Sequence, residues 1–223
     1  MATQMEKQLT QEEKATNAET WEHINNVMKL LARMQFELSK RMFTHDRSKL
    51  AHPEVDTFVE FTPNLKDSTY GSPEYNQFLK DMKPALDHHY AHNRHHPEFS
   101  TLWKCPVCNH ICKEQEIPAF FLEVEGDDLH KHKFCPRCCP VSVIYESIME
   151  PYLGVEGMNL IDLLEMLCDW KAATMRHNDG DINRSIELNT SRFNLSPQLV
   201  SIFKNTLPLL HDIFANLQTQ KDI

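Results

Sequence analysis

Glycine is scarce, with 5 residues in 223. No glycine-rich phosphate loop and no dinucleotide-binding glycine fingerprint occurs, which excludes the nucleotide folds built on those loops. So little glycine suits a helical chain. Long apolar runs are also missing, since none reaches the ~18 residues a membrane span needs. The polar stretch Met1 to Lys14 lacks the apolar core of a signal peptide, so a cytoplasmic location and no membrane partner are expected. Basic residues are in deficit: 23 Lys and Arg stand against 32 Asp and Glu, a net charge of -9. A binder of phosphate backbones leans the other way, so generic nucleic-acid binding is not expected. Small anionic substrates remain open if a metal or local cations hold them.

What is present is a hydrophobic fraction of 41% over 223 residues, enough for one ordinary domain and a small accessory module. Histidine is in excess at 13 residues, and there are seven cysteines. Residues 1–15 read as a polar tail. Thr16 to Glu19 has the capping-box pattern, and Trp21, Ile24, Val27, Leu31, Met34 and Leu38 then recur at helical spacing. His52 to Gly71, with Pro53 and Pro63, reads as a loop with short helical pieces. Ser72-Pro73-Glu74 is a helix start, followed by a helix or a broken pair to Pro97, interrupted near Pro84. Helices are expected at 141–152 and 158–177, a short or irregular element at Ser185 to Phe193, and a last helix from Ser196-Pro197, kinked at Pro208.

Residues 103–140 differ in character and hold six of the cysteines. Cys105-Pro-Val-Cys108 and Cys135-Pro-Arg-Cys138 are two Cys-Pro-x-Cys knuckles, each turning two thiolates toward one point. Two such pairs complete the four-sulfur shell of a structural Zn²⁺, and in a reducing compartment this outranks disulfides. Rubredoxin-like iron is chemically close. The 26 intervening residues hold a predicted hairpin, Phe120 to Glu125 and Leu129 to Phe134 around Gly126-Asp127-Asp128. The module resembles a zinc ribbon. Cys139 and Cys112 are spare neighbours, and Cys168 reads as a core residue. The expected organisation is a flexible tail (1–15), a helical domain (16–102 with 141–223) and the ribbon inserted at 103–140.

A second constellation is built from histidine and aspartate. His45-Asp46 is followed by His88, His89, His92, His95 and His96, five histidines in nine residues. On a helix, His88, His92 and His95 would share one face, and His89, His92 and His96 another. Asp162, Glu165 and Asp169 fall on one face of the 158–177 helix. Neutral imidazoles and carboxylates together suit Fe, Mn, Zn or Mg-like ions, and such a shell with open positions lowers the pKa of bound water.

The order His23, His45-Asp46 with Lys49, the His pairs and Asp169 resembles the HD superfamily of metal-dependent phosphohydrolases. His45-Asp46-Arg47-Ser48-Lys49 is similar to that family's His-Asp-x-Gly-Lys, with Ser48 in place of Gly. Asp169-Trp-Lys-Ala172, followed by Arg176, is similar to its closing Asp segment. His88-His89 resembles the paired His of its two-metal branch. The strings HDRSKLAHPE, HHYAHNRHHPE and MNLIDLLEMLCDWKAATMRHNDGD look more narrowly like a family of mostly phage-encoded proteins, and for a phage-encoded chain the expected cytoplasm is the host's.

The HD resemblance implies a mainly α, HD-like bundle with the β zinc ribbon inserted. It implies one or two divalent metals on His23, His45, Asp46, one or both of His88 and His89, one or both of His95 and His96, and Asp169. Lys49, Arg94 and Arg176 are the candidates to contact phosphate, and Asp46 is the natural bridge between two metals. Glu165 and Asp162 would orient histidine ligands. The implied activity is hydrolysis of a nucleotide or other small phosphoester. Two alternatives differ in class: a diiron oxygenase on the same scaffold, and a non-catalytic host-takeover protein that docks a partner through the ribbon. His23 and His45 are 22 residues apart, or ~33 Å along one helix. For both to reach one metal the chain must turn near Arg33 to Glu37, where the apolar pattern loses phase.

Overall fold

The computed structural model describes residues 9–69, 71–117, 133–138, 148–176 and 180–218, with side chains as far as residue 210. Among them are seven α-helices and one three-stranded antiparallel sheet. The chain divides into two compact units, Met1–His45 and Asp46–Ile223. No helix among the described residues is long and apolar enough to cross a membrane.

The first unit is essentially one helix, α1 (Gln11–Thr44). Two Thr-x-x-Glu sequences compete to start it, and the earlier one wins. Thr10 Oγ1 accepts from the Glu13 amide at 3.2 Å, and Glu13 Oε2 accepts from the Thr10 amide at 2.7 Å. Gln11 to Ala15 are therefore helix, where a tail was expected. The expected turn near Arg33 to Glu37 is absent as well, and α1 runs unbroken to Thr44. Nothing between contains Gly or Pro, and Leu, Ala, Arg, Met, Gln, Glu and Lys predominate there, so propensity carries the helix through the change of phase. His23 and His45 therefore stand ~33 Å apart on the same rod, and the two cannot share a metal within one chain.

In the second unit a single 3-10 turn, Arg47–Leu50, leads to α2 (Val55–Asp67), α3 (Pro73–Asp81) and α4 (Lys83–His92). The region read as a loop is thus largely α2, with Pro63 tolerated inside it. Ser72 caps α3 as expected, accepting from the Tyr75 amide at 3.1 Å. Met82 separates α3 from α4, two residues before Pro84, where the break was expected. Later come α5 (Leu160–Thr174), α6 (Ile182–Arg192) and α7 (Pro197–Gln218). Residues 185–193, read as short or irregular, belong mostly to α6, and α7 continues through Pro208. Asn194 takes φ 52° just past α6, the left-handed stop that Asn tolerates better than most residues.

The core of this unit lies where α5, α6 and α7 meet. Met166, Leu167, Trp170, Ile182, Ile186, Phe193, Leu195, Phe203 and Leu207 are all buried there. Trp170 stacks on Phe193 with ring centres 6.1 Å apart and meets Phe203 edge-on at 6.0 Å. Burying each such aliphatic or aromatic side chain contributes about 1.5–3 kcal/mol, so this cluster fixes the rotation of α5 about its own axis. That rotation decides where Asp162 and Glu165 point.

The sheet has the order β2-β1-β3, with β1 (Leu102–Lys104) pairing antiparallel to β2 (Ile111–Lys113) and β3 (Glu150–Tyr152). The expected helix at 141–152 is therefore wrong at its C-terminal end: Ile148 bridges Phe134, and Glu150 enters the sheet. Most of the expected hairpin, Cys139 and residues 141–147 lie outside the described residues.

Candidate metal centres

Within the second unit, two groups of side chains converge on points that suit a metal ion. The first is the four cysteines. Strand β1 delivers Cys105, and the chain turns through Pro106-Val107-Cys108 into β2. The turn closes with the Cys105 amide donating to His110 O at 2.9 Å and the Asn109 amide to Cys105 O at 3.0 Å. Asn109 sits at φ 57°, a left-handed position that would favour glycine in a chain with more of it. In the second knuckle the Arg137 amide donates to Cys135 Sγ at 3.4 Å. The Sγ atoms of Cys105 and Cys138 are 3.5 Å apart, those of Cys108 and Cys135 are 3.6 Å apart, and all four lie within 4.8 Å of one another. Four sulfurs at ~2.3 Å from zinc have tetrahedral edges of ~3.8 Å, so the group fits a zinc ion. All four are free thiols.

The thiols do not ionise alike. The His110 amide, followed by the neighbouring sulfurs, draws Cys108 down to about 7. Cys138 is pushed up, chiefly by Cys108, and Cys135 is pushed up by burial. The Cys108 thiolate forms readily, and Cys135 and Cys138 give up their protons when a cation arrives to compensate the charge. Beneath the knuckles Cys112, Met149 and part-buried Trp103 and Ile117 form a small apolar floor.

The second group is Asp46, His89, His95 and His96, whose ligand atoms lie within 4.8 Å of one another. Asp46 begins the 3-10 turn in a left-handed conformation, φ 55°, which aspartate tolerates and which swings the carboxylate toward α4. His89 is in the last turn of α4. That helix stops at Asn93, so the expected shared faces running through His92 to His95 and His96 do not form. The Asn93 side chain caps the end by donating to His89 O at 2.8 Å and to Ser48 Oγ at 2.8 Å. The chain doubles back and lays His95 and His96 beside His89, with ring centres 6.1 and 4.8 Å from it.

Asp46 Oδ1 is 3.2 Å from His89 Nε2 and 3.4 Å from His95 Nε2. The Nε2 atoms of His89 and His96 are buried and make no hydrogen bond among the described residues. Buried ring nitrogens facing one carboxylate oxygen in this way are what a cation would satisfy. The opposite ring edges are held by acids. His89 Nδ1 donates to Glu54 Oε2 at 2.9 Å, where Glu54 is 0% and His89 1% exposed. His95 Nδ1 faces Glu165 Oε1 at 3.3 Å. An ionised carboxylate only accepts, so each imidazole keeps a proton on Nδ1, and it is Nε2 that would give up any second proton and offer its lone pair inward to a cation.

Burial alone would raise the Asp46 carboxyl, but the His89 and His95 rings and Lys49 outweigh it and hold it well below the usual range. Burial would lower His95, yet Asp46, Glu165 and Asp169 raise it overall. His96 is pushed down to about 2 by burial and then by His95 and His89, so it stays neutral.

The remaining expected residues fall as follows. Asp169, on α5, offers an oxygen within 4.8 Å of a His95 ring nitrogen. His45 closes α1, its amide donating to Arg41 O at 2.8 Å. His88 is not in the cluster; it stands on the far side of Glu54, donating from Nδ1 to Oε1 at 2.7 Å. Lys49 pairs with Asp46 Oδ2 at 2.6 Å and lies over the Phe58 ring. Arg94 grips buried Asp162 through two bonds of 3.2 and 3.1 Å. Asp162 thus holds an arginine and caps the Asn159 amide at 3.1 Å, whereas it was expected to orient a histidine. Arg176 is exposed beyond α5. A polar cavity of about 240 Å³ between Arg94, Phe99, Thr101 and Lys113 contains none of the four cluster ligands in its lining.

Sequence reasoning missed Glu54, Ser48 and Asn93 as parts of the centre. Glu54 ends a His-Pro-Glu tripeptide at residues 52–54 that recurs at 96–98, a pattern that by itself suggests only a turn leading into a helix. Ser48 Oγ donates to Glu54 Oε2 at 3.0 Å, which gives a physical reason for a hydroxyl where the HD-like motif has glycine.

A family model described as a family of unknown function (DUF5662) matches residues 12–120 and 144–209. The match spans well over half of the chain, and the protein belongs to that family. No curated protein and no solved structure matches it.

Proposed function

We propose that this DUF5662 member is a metal-dependent phosphohydrolase acting on a nucleotide or other small phosphoester. In this reading it has an HD-like helical core, and its cysteine module is a structural zinc ribbon. The observation that carries the reading is the convergence of Asp46 Oδ1 with Nε2 of His89 and His95 and a ring nitrogen of His96, backed by buried Glu54 and Glu165.

A divalent cation bound there would lower the pKa of a water it holds and offset charge on a phosphoryl oxygen. The chain's own residues supply the rest. Glu54 and Glu165 fix ring orientation and tautomer. Asp46 keeps 19% of its side chain exposed, so substrate approaches on that side. Lys49, held against Asp46 Oδ2, sets an ammonium beside the approaching phosphate. Arg94 has the different task of bracing α5 through Asp162, which keeps Glu165 behind His95. His45 adjoins Asp46 in the chain and completes the His-Asp pair of the motif.

Metal identity separates this reading from its rivals. Four protein ligands leave open positions on a six-coordinate Mn or Fe ion but close a tetrahedral zinc shell. Zinc in the His/Asp centre, with no turnover, favours the non-catalytic partner-docking reading. Iron with consumption of O₂ favours an oxygenase. The test is a panel of nucleotides and phosphodiesters with Mn²⁺ or Fe²⁺, comparing wild type with Asp46→Ala. Turnover lost in the variant by about 100-fold or more, the scale of one essential charge-stabilising group, supports the proposal. Turnover that survives, or none in wild type, contradicts it.

A further inference from the structure

His88 and His92 sit one turn apart on α4, outside the cluster that holds Asp46. Their rings stack with centres 4.0 Å apart and planes 20° from parallel. His88 Nδ1 donates to Glu54 Oε1 at 2.7 Å, and His92 Nδ1 donates to the His88 carbonyl at 2.6 Å. A carboxylate and a carbonyl only accept, so both protons are placed on Nδ1. Each ring is left with a lone pair on Nε2. His92 is exposed and His88 half-buried, so a cation can reach them from solvent.

We propose that His88 and His92 form an outer, two-imidazole site for a divalent first-row cation with a preference for nitrogen, of the Ni²⁺, Cu²⁺ or Zn²⁺ class. Two nitrogens on one tetrahedral or square-planar ion, at ~2.0–2.1 Å each, stand roughly 3 Å apart. Positions i and i+4 hold the two rings on one helix face with centres 4.0 Å apart, and turning the near-parallel rings toward each other brings both lone pairs onto one ion without moving the backbone. The helix supplies the chelate and water completes the shell. The site is joined to the buried centre by one side chain, because Glu54 accepts from His88 on Oε1 and from His89 on Oε2. A cation on His88 Nε2 makes its Nδ1–H a stronger donor to Glu54, drawing that carboxylate away from His89.

Equilibrium dialysis of the full-length protein with its resident metals against rising Ni²⁺, read by elemental analysis, tests this. The variants are His92→Ala, which removes half the chelate without touching Glu54, and His52→Ala, which removes an exposed histidine on another segment. The wild type is expected to take up one extra equivalent of Ni²⁺. His92→Ala should bind it at least about tenfold more weakly, as a chelate reduced to one arm does, while His52→Ala behaves like the wild type. No extra Ni²⁺ in the wild type, superimposable isotherms for His92→Ala and wild type, or an equal loss in His52→Ala would overturn the proposal. Loss of a resident metal from His92→Ala would also overturn it, because the pair would then belong to the buried centre.

Discussion

Glu54 Oε2 lies 2.9 Å from His89 Nδ1, with both side chains removed from solvent. A buried acid holding the outward edge of a ring whose other nitrogen faces Asp46 makes sense if that ring ligates a cation. Glu54→Gln keeps the shape but not the charge. It is expected to weaken metal binding at the His/Asp centre by about 10–100-fold, the usual cost of losing such a carboxylate. A competition titration with a chromophoric chelator measures this, and an unchanged affinity would refute the role given to Glu54.

The raised pKa of His95 gives the metal-free protein a signed pH dependence. Its protonated form is favoured in the fold by Asp46, Glu165 and Asp169. That contribution to stability is complete below the unfolded value of about 6.5 and is lost as pH rises through the folded value. The stability difference between wild type and His95→Asn, both metal-depleted, should therefore be larger at pH 5.5 than well above neutrality. Metal binding runs the opposite way and strengthens over the same rise, because the proton and the cation compete for His95. Thermal melts and metal titrations at the two pH values check both signs.

Arg94→Ala should behave as the loss of a brace. It leaves Asp162 buried without its two guanidinium bonds, which is expected to cost about 1–3 kcal/mol given that the arginine is part-exposed. Denaturant unfolding measures the loss. Metal on the cysteines should be unchanged, and metal at the His/Asp centre should be held more weakly, because Glu165 is less firmly placed behind His95. A variant of wild-type stability that fails only in phosphate affinity would restore the role that the sequence resemblance implied.

Cys135→Ser should release the cysteine-bound metal and unfold the small sheet around it, since that module's apolar floor is too small to hold the fold unaided. Cobalt substitution reads this directly: tetrahedral thiolate bands should be seen in the wild type and be lost in the variant. Bands that persist would require a different ligand, such as Cys139.

The cysteine group was legible in the sequence because each knuckle is local, four residues that meet by turn geometry alone. The His/Asp centre was legible in residue type but only partly in geometry. Helical spacing was extended past His92, whereas Asn93 and Ser48 end α4 and fold His95 and His96 back, and Ser48 comes from 45 residues upstream. Glu54 was hidden for the same reason, as its partner His89 is 35 residues away. At α1 the misreading was local. A shift in apolar phase was read as a turn, although no residue there could break a helix, and this removes His23 from any centre containing His45 of the same chain.

One chain is expected to hold metal at two chemically different sites. Elemental analysis of protein purified without added metal, as wild type, His96→Ala and Cys135→Ser, tests it most directly. Zinc is expected on the cysteines in wild type and His96→Ala, together with a second first-row metal that His96→Ala loses and Cys135→Ser retains. A single equivalent of zinc in the wild type, unchanged in His96→Ala, would contradict it.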